Sequence, residues 1–172
     1  MMELTLTIKD RLILANQYQI LELLDNKQSK YYANLQTILM RGYVGHYSEL
    51  VTAFNEDQLT AEQCAEVRDI LQMYRMLGNA YKELSDKTGI DPEHIKFAGF
   101  DQNEEPTHYS YASFLIEDQR RWQEAAGDIN SHFPNLVTYR DMLREWKASK
   151  HPHELTREDV LRIIRVGPKF HL

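Results

Sequence analysis

The sequence predicts an all-α protein, a single-domain helical bundle of six to eight helices over residues 1–172. One observation is an apolar seam whose steps of three and four residues keep it on one side of a helix for about five turns. The seam consists of Val67, Ile70, Tyr74, Leu77, Tyr81 and Leu84. A second observation is the repeated occurrence of helix start and stop signals along the chain. The length agrees, since a chain of this size can bury roughly 70% of its unfolded surface in one core.

The N-terminal residues fit two local structures. Residues 3–8 alternate polar and apolar side chains, as a short half-buried strand does. Alternatively Thr7 caps a helix, with Asp10 three residues later in a variant of the capping box. In both cases a helix follows as far as residue 24 and offers several apolar side chains to the core, namely Leu12, Ile13, Ile20, Leu23 and Leu24.

The next signals predict a second helix and a short third one. Ser29 can cap the second helix, and Gly42 ends it. Arg41, just before that glycine, suits the negative end of the helix dipole. A short helix over about residues 47–54 follows.

The helix that carries the apolar seam has its own capping box. Thr60 occupies the cap position and Gln63 the third helical position. We predict that this central helix extends to about residue 89. Asp91 followed by Pro92 then begins a brief helical turn, because proline is favoured at the first helical position.

The C-terminal part predicts three further helices. A helix over about residues 107–124 places Trp122 on its apolar face, and another covers about residues 135–148. Thr156, with Asp159 three residues later, caps the last helix. Together these elements complete the predicted bundle.

Composition limits the classes of function. The net charge of −6 argues against nucleic-acid binding by the whole surface, because phosphate contact needs a basic face. Cys64 is the only cysteine, so neither an intrachain disulfide nor a thiolate metal cluster can form. No apolar run resembles a signal peptide or approaches the ~20 residues of a membrane span. We therefore expect a cytoplasmic protein.

Three carboxylates share one face of the central helix near its start. Glu62, Glu66 and Asp69 follow at steps of four and three residues. Such a set binds magnesium in all-α nucleotide pyrophosphatases, and one alternative function is therefore a metal-dependent nucleotide-processing enzyme. The competing interpretation is a solvated acidic face near the positive end of the helix dipole. Because the sequence contains no phosphate-binding loop or basic clamp, we favour the second interpretation and predict no cofactor.

An irregular stretch over about residues 96–105 is the candidate binding surface. It and the helix after it combine aromatic rings with acidic groups, and loops on a rigid framework often carry binding sites. The predicted binding residues are Phe100, Asp101, Glu105, Tyr109 and Tyr111. The alternative is that Phe97 and Phe100 simply fill the end of the bundle.

Several sequence strings resemble a known family. They are RLILANQY (residues 11–18), LQTILMRGY (35–43), DILQMYRML (69–77), AGFD (98–101), YRDMLREW (139–146) and ELT (154–156). In order and spacing they are similar to the YfbU family of bacterial proteins over about residues 11–164. The resemblance implies a small cytoplasmic protein without an established activity, so it transfers no catalytic residue. In some relatives a ribbon-helix-helix segment accompanies the YfbU-like region, which implies a regulatory role.

These observations predict a non-catalytic binding or regulatory protein. We expect a homodimer with a possible protein partner, and no membrane association. The first alternative is a DNA-binding regulator, in which residues 3–8 pair with a second chain as a ribbon. The second alternative is the metal-dependent enzyme described above.

Overall fold

The computed structural model describes residues 4–52 and 58–168. These two ranges belong to two compact units, which are treated separately below. The described residues form six α-helices and no β-strand, which confirms the predicted all-α class. That residues 1–172 make one domain stays a prediction.

The α-helices are α1 (Ile8–Leu24), α2 (Ser29–Arg41), α3 (Ala61–Glu83), α4 (Pro106–Ser113), α5 (Leu136–Lys147) and α6 (Arg157–Arg165). Two 3-10 segments, Val44–Val51 and Pro92–Ile95, and a π turn, Phe114–Asp118, lie between them. Among the residues that the structure describes, no helix combines the length and apolar character needed to cross a membrane.

The first unit begins with a helix cap and not with a strand. The Thr7 hydroxyl accepts a hydrogen bond from the Asp10 amide, and the Asp10 carboxylate accepts one from the Thr7 amide. The strand alternative for residues 3–8 is therefore wrong for the part described, residues 4–7. The alternation has another cause, since Leu4 and Leu6 pack against the small core of this unit.

The first unit is a hairpin of α1 and α2 followed by the 3-10 segment. Its core contains Leu35, Ile38 and Tyr47. The Arg11 guanidinium donates to the carbonyl of Leu39 at 2.7 Å, at the end of α2 where carbonyls lack helical partners. The short helix predicted over residues 47–54 is a 3-10 segment, Val44–Val51, which begins three residues earlier. Residues 53 and 54 of that prediction lie outside the described part.

The assignment of α1 to the core is wrong for five residues. Leu12, Ile13, Ile20, Leu23 and Leu24 are between 46% and 76% exposed. The reason is geometrical, because α1 carries apolar side chains on two faces and α2 covers only one of them. Sequence periodicity detects apolar positions, but it does not tell which of two apolar faces will be covered.

The second unit is built around α3. Val67, Ile70, Tyr74 and Leu77 are buried, which confirms the central seam. The Thr60 capping box also forms as predicted. The helix ends at Glu83, about a turn and a half earlier than predicted.

The predicted helix over residues 107–124 is shorter in the structure. It consists of α4 and the π turn, and the chain then leaves helical geometry at Arg120 and Trp122, with φ angles of 54° and 55°. Trp122 is nevertheless buried, as its apolar character predicts. The guanidinium groups of Arg75 and Arg121 lie 5.2 and 4.3 Å from its ring centroid, which favours the turn through cation–π attraction.

Helices α5 and α6 complete the core of the second unit. Tyr139, Met142 and Trp146 of α5 are buried. The Thr156 capping box at the start of α6 forms as predicted. Both helices contact α3, so α3 is the central helix of this unit.

Candidate functional site

The predicted binding loop is held against a second loop by backbone hydrogen bonds. The Phe97 amide donates to the Ala125 carbonyl at 2.9 Å, and the Phe100 amide donates to the Ile129 carbonyl at 3.0 Å. Between them Gly99 has a φ of +89°, and a Cβ atom added there would lie 2.3 Å from the Ile129 carbonyl oxygen. Only glycine fits this position without moving one of the two loops.

The aromatic side chains of this loop belong to the core. Phe97 and Phe100 are fully buried, with their ring centroids 5.3 Å apart. Each packs against Tyr139, whose hydroxyl donates to the Gly99 carbonyl at 2.8 Å. Burial raises the pKa of Tyr139, so this hydroxyl keeps its proton and remains a donor. The burial favours the alternative in which these rings fill the end of the bundle.

The two acidic residues of the predicted site bind backbone amides. Asp101 Oδ1 accepts from the amides of Asn103 and Glu104 at 2.7 and 2.8 Å. The Glu105 carboxylate accepts from the amides of Asp101 at 3.0 Å and Leu136 at 2.6 Å. Both side chains are buried. They therefore hold the turn that leads into α4 and join it to the first residue of α5.

The remaining two predicted binding residues are half-buried. Tyr109 packs against the core of the second unit. The Tyr111 hydroxyl accepts a hydrogen bond from Arg68 at 3.0 Å, and its ring stacks on Phe114. Of the predicted set, these two tyrosines keep accessible surface. Ligand contact by the five residues stays a prediction, and the observed contacts give Phe100, Asp101 and Glu105 structural roles.

The acidic face of α3 is paired with basic residues of α5. Glu66 forms a two-point ion pair with Arg140, at 2.7 and 2.9 Å, and Asp69 lies 2.5 Å from Lys147. The hydrogen bonds from Arg140 lower the pKa of Glu66 although partial burial opposes the shift. Glu62 is exposed. Within residues 4–52 and 58–168, no group of three or more His, Cys, Asp or Glu side chains could hold a metal ion.

His108 is a buried polar residue that sequence patterns did not single out. Its ring lies 5.5 Å from that of Phe100, and its Nε2 atom is 3.7 Å from Glu66 Oε2, which is too long for a hydrogen bond. Nε2 has no hydrogen-bond partner in the described part of the chain. A histidine with no partner at ligand spacing in the sequence offers no signal by which this position could be found.

The first unit carries a surface of a different kind. On α1, Ile8, Leu12, Leu23, Ile20, Ile13 and Leu24 are exposed. At 3.6 residues per turn they cover an arc of about 160° on the side away from α2. We call this set the apolar face of α1. No charged residue occurs from residue 12 to residue 21, whereas the exposed side of a surface helix is normally charged.

A groove borders the apolar face. It has a volume of about 200 Å³ and opens between α1 and the end of α2. Its lining consists of Ile8, Arg11, Leu12, Ala15, Leu39 and Met40. The lining is mainly apolar, so the groove suits an aliphatic side chain and not a charged ligand.

Comparison with known proteins places the whole chain in one sequence family. The model of the YfbU domain matches residues 2–166, which extends the resemblance noted over residues 11–164. The UPF0304 protein PM1500 of Pasteurella multocida (strain Pm70) is 32% identical over 166 residues, a match that covers 95% of this chain and 99% of that protein.

Proposed function

The chain belongs to the YfbU family, and we propose that it works as a non-catalytic binding protein with regulatory function. The contact surface is the apolar face of α1. The observation that carries this proposal is that α1 is apolar on two sides while α2 covers only one of them. An apolar stripe on a helix normally faces a core or a partner, and a large exposed one often marks an interaction site.

The size of the apolar face supports the proposal. Its six residues are 46–81% exposed, which amounts to roughly 700 Å² of surface in total. The largest apolar patch on a typical monomer measures about 300–600 Å², and such patches often mark interaction sites. Single exposed leucines need no explanation, but these six residues form two groups on one side of α1, before and after the polar Asn16.

The engagement of the polar groups in the second unit supports binding over catalysis. Glu66 and Asp69 are paired with Arg140 and Lys147, so the carboxylates that would bind a metal already have cationic partners. The inward packing of Leu4 and Leu6 leaves no free ribbon in residues 4–7. We accordingly prefer the binding protein to the enzyme and the DNA-binding regulator, and place it in the cytoplasm.

Site-specific photo-crosslinking in bacterial cells tests the proposal. A benzophenone amino acid replaces Ile20, in the middle of the apolar face, or Thr37, an exposed residue of α2. We expect a crosslinked protein product with the probe at position 20 and none at position 37, because only the first position lies on the contact surface.

A second variant separates binding from folding. Leu23→Gln combined with Leu24→Gln should leave the free energy of unfolding within ~0.5 kcal/mol of the parent, because both side chains are exposed. The same double change should abolish the crosslink from position 20. An absence of any crosslink at position 20 in the parent, under conditions where a known contact crosslinks, would remove the proposal.

A further inference from the structure

We propose that the apolar face of α1 is covered by the same face of a second copy of this chain. The two α1 helices run antiparallel about a two-fold axis beside Asn16. This inference rests on the proposed function, because it names the partner of that surface.

The area and the charge of the face fit a second copy. Roughly 700 Å² per chain approaches the ~800 Å² that each partner contributes to a stable specific interface. The face has no charged residue from residue 12 to residue 21, so it meets its own copy without repulsion in its central part. An acidic or basic partner would find no complementary charge there.

Two-fold symmetry about Asn16 pairs four of the six face residues with one another, whereas Ile13 meets Gln19 and Leu23 meets Lys9. In a symmetric interface residue i contacts residue j while j contacts i. Asn16 is the middle of the 17-residue helix Ile8–Leu24. Antiparallel pairing about it sets Ile8 opposite Leu24 of the second copy and Leu12 opposite Ile20.

Asn16 itself lies at the centre of the face. Helical geometry places it near the middle of the ~160° arc. An amide side chain both donates and accepts, so two Asn16 side chains can hydrogen-bond to each other across the axis. A polar residue within an apolar seam fixes the register and the orientation of paired helices. Lys9 and Gln19 also lie within the arc, but off its centre. Asn16 therefore determines which residues meet.

The groove and Lys9 favour the antiparallel orientation. Leu23 of the second copy lies on the same side as Leu12 and at the height of residue 9, between Ile8 and Leu12, where the groove of about 200 Å³ can receive it. Lys9 then packs its aliphatic stem near the end of the interface and keeps its ammonium group in water. In a parallel pair the two Lys9 side chains would lie at the same end of the interface, and their ammonium groups would repel each other. The two helix dipoles would also point in the same direction, which is unfavourable.

The first test measures the mass of the full chain in solution. Sedimentation of the parent at micromolar concentration should give twice the 20.3 kDa of one chain. Ile20→Asp should raise the dissociation constant roughly 100-fold or more, because it places two unpaired carboxylates in the apolar interface. Thr37→Asp, on the exposed side of α2, should leave the mass unchanged. Circular dichroism checks that both variants fold.

The second test reads the orientation. In a Cys64→Ser background, chains with Ile13→Cys and chains with Ile20→Cys are mixed and treated with a short bifunctional thiol reagent. Antiparallel pairing brings positions 13 and 20 of different chains to about the same height, whereas two copies of position 13 lie about 9 Å apart along the helix axes. The mixture should crosslink, and either chain alone should not. Gln17→Cys, which points sideways from the face, should also fail to crosslink.

The outcomes separate this inference from the proposed function. A monomeric parent overturns the two-fold pair, and crosslinking of Ile13→Cys with itself overturns its antiparallel orientation. If the parent is monomeric while the probe at position 20 captures a different protein in cells, the second copy is wrong and the binding function stands. If position 20 captures nothing, both fail together.

Discussion

Replacing Gly99 by alanine should destabilise the second unit by about 3–5 kcal/mol. The new Cβ atom would lie 2.3 Å from the carbonyl oxygen of Ile129 and 2.5 Å from its carbon. Both are backbone atoms, so no side chain can rotate away to relieve the overlap. The φ of +89° adds strain of about 1 kcal/mol for any residue with a Cβ atom.

The remainder of the cost comes from the contacts that the two loops must give up when they separate. The Phe100 amide loses the Ile129 carbonyl, and the Tyr139 hydroxyl loses the Gly99 carbonyl. Each hydrogen bond contributes about 1 kcal/mol, and a buried group left without a partner costs more. Phe97 and Phe100 also lose packing in the aromatic core.

Gly78→Ala is the matched control. It makes the same chemical change, but we expect it to raise the free energy of unfolding and not to lower it. Gly78 lies within α3, and an added Cβ atom there meets nothing within 4 Å. Alanine favours the helix over glycine by about 0.5–1 kcal/mol, so this variant should be slightly more stable than the parent.

Urea unfolding followed by tryptophan fluorescence measures both variants. The two tryptophans of the chain, Trp122 and Trp146, are buried in the second unit, so the signal reports on that unit. A loss below ~1 kcal/mol for Gly99→Ala would mean that the loops separate freely, and it would refute the close approach on which the reasoning depends.

Two further predictions concern the same unit. Leu77→Ala should cost about 2–5 kcal/mol in urea unfolding because Leu77 is fully buried, and a loss below ~1 kcal/mol would place the central seam at the surface. Glu66→Gln should cost up to about 1 kcal/mol at pH 7, since Arg140 is half exposed and solvent weakens the pair. Because its folded-state pKa is lowered, Glu66 stabilises the protein above its unfolded pKa of about 4.3. The difference between parent and Glu66→Gln should therefore shrink as the pH falls from 5 to 3, and an unchanged difference would contradict the ion pair.

Capping boxes predicted three helix starts correctly, whereas the predicted Ser29 cap is wrong, because Ser29 is the first residue of α2 and its cap position is Gln28. The capping boxes at Thr7, Thr60 and Thr156 all form, because each needs only a side chain and an amide three residues apart. The helix predicted over residues 107–124 is too long because its end depends on a residue that is distant in the sequence. Its end depends on Trp122 packing between two arginines, one of them 47 residues earlier on α3, and no local pattern encodes that contact.

The candidate binding loop shows the same limit at the level of side chains. Aromatic and acidic residues in an irregular stretch are typical both of binding surfaces and of loops that fill a core. The choice between them depends on whether Asp101 and Glu105 find amide partners, and one of those partners, Leu136, lies 31 residues from Glu105. The sequence marks Asp101 and Glu105 as candidate functional residues, but their structural role follows only from the contacts that they make in the fold.

The apolar face of α1 is the most informative disagreement between sequence and structure. Periodicity predicts that Leu12, Ile20 and Leu23 are covered, and within its own chain the structure leaves them exposed. Both observations hold at once if the chain that covers these residues is a different molecule. Local sequence preference and global structure agree in most of a natural protein, and the positions where they conflict are where function is expected. In the second unit the apolar seam of α3 shows no such conflict, since the helices of that unit bury Val67, Ile70, Tyr74 and Leu77. Residues 8–24 are therefore the segment for which we propose a partner.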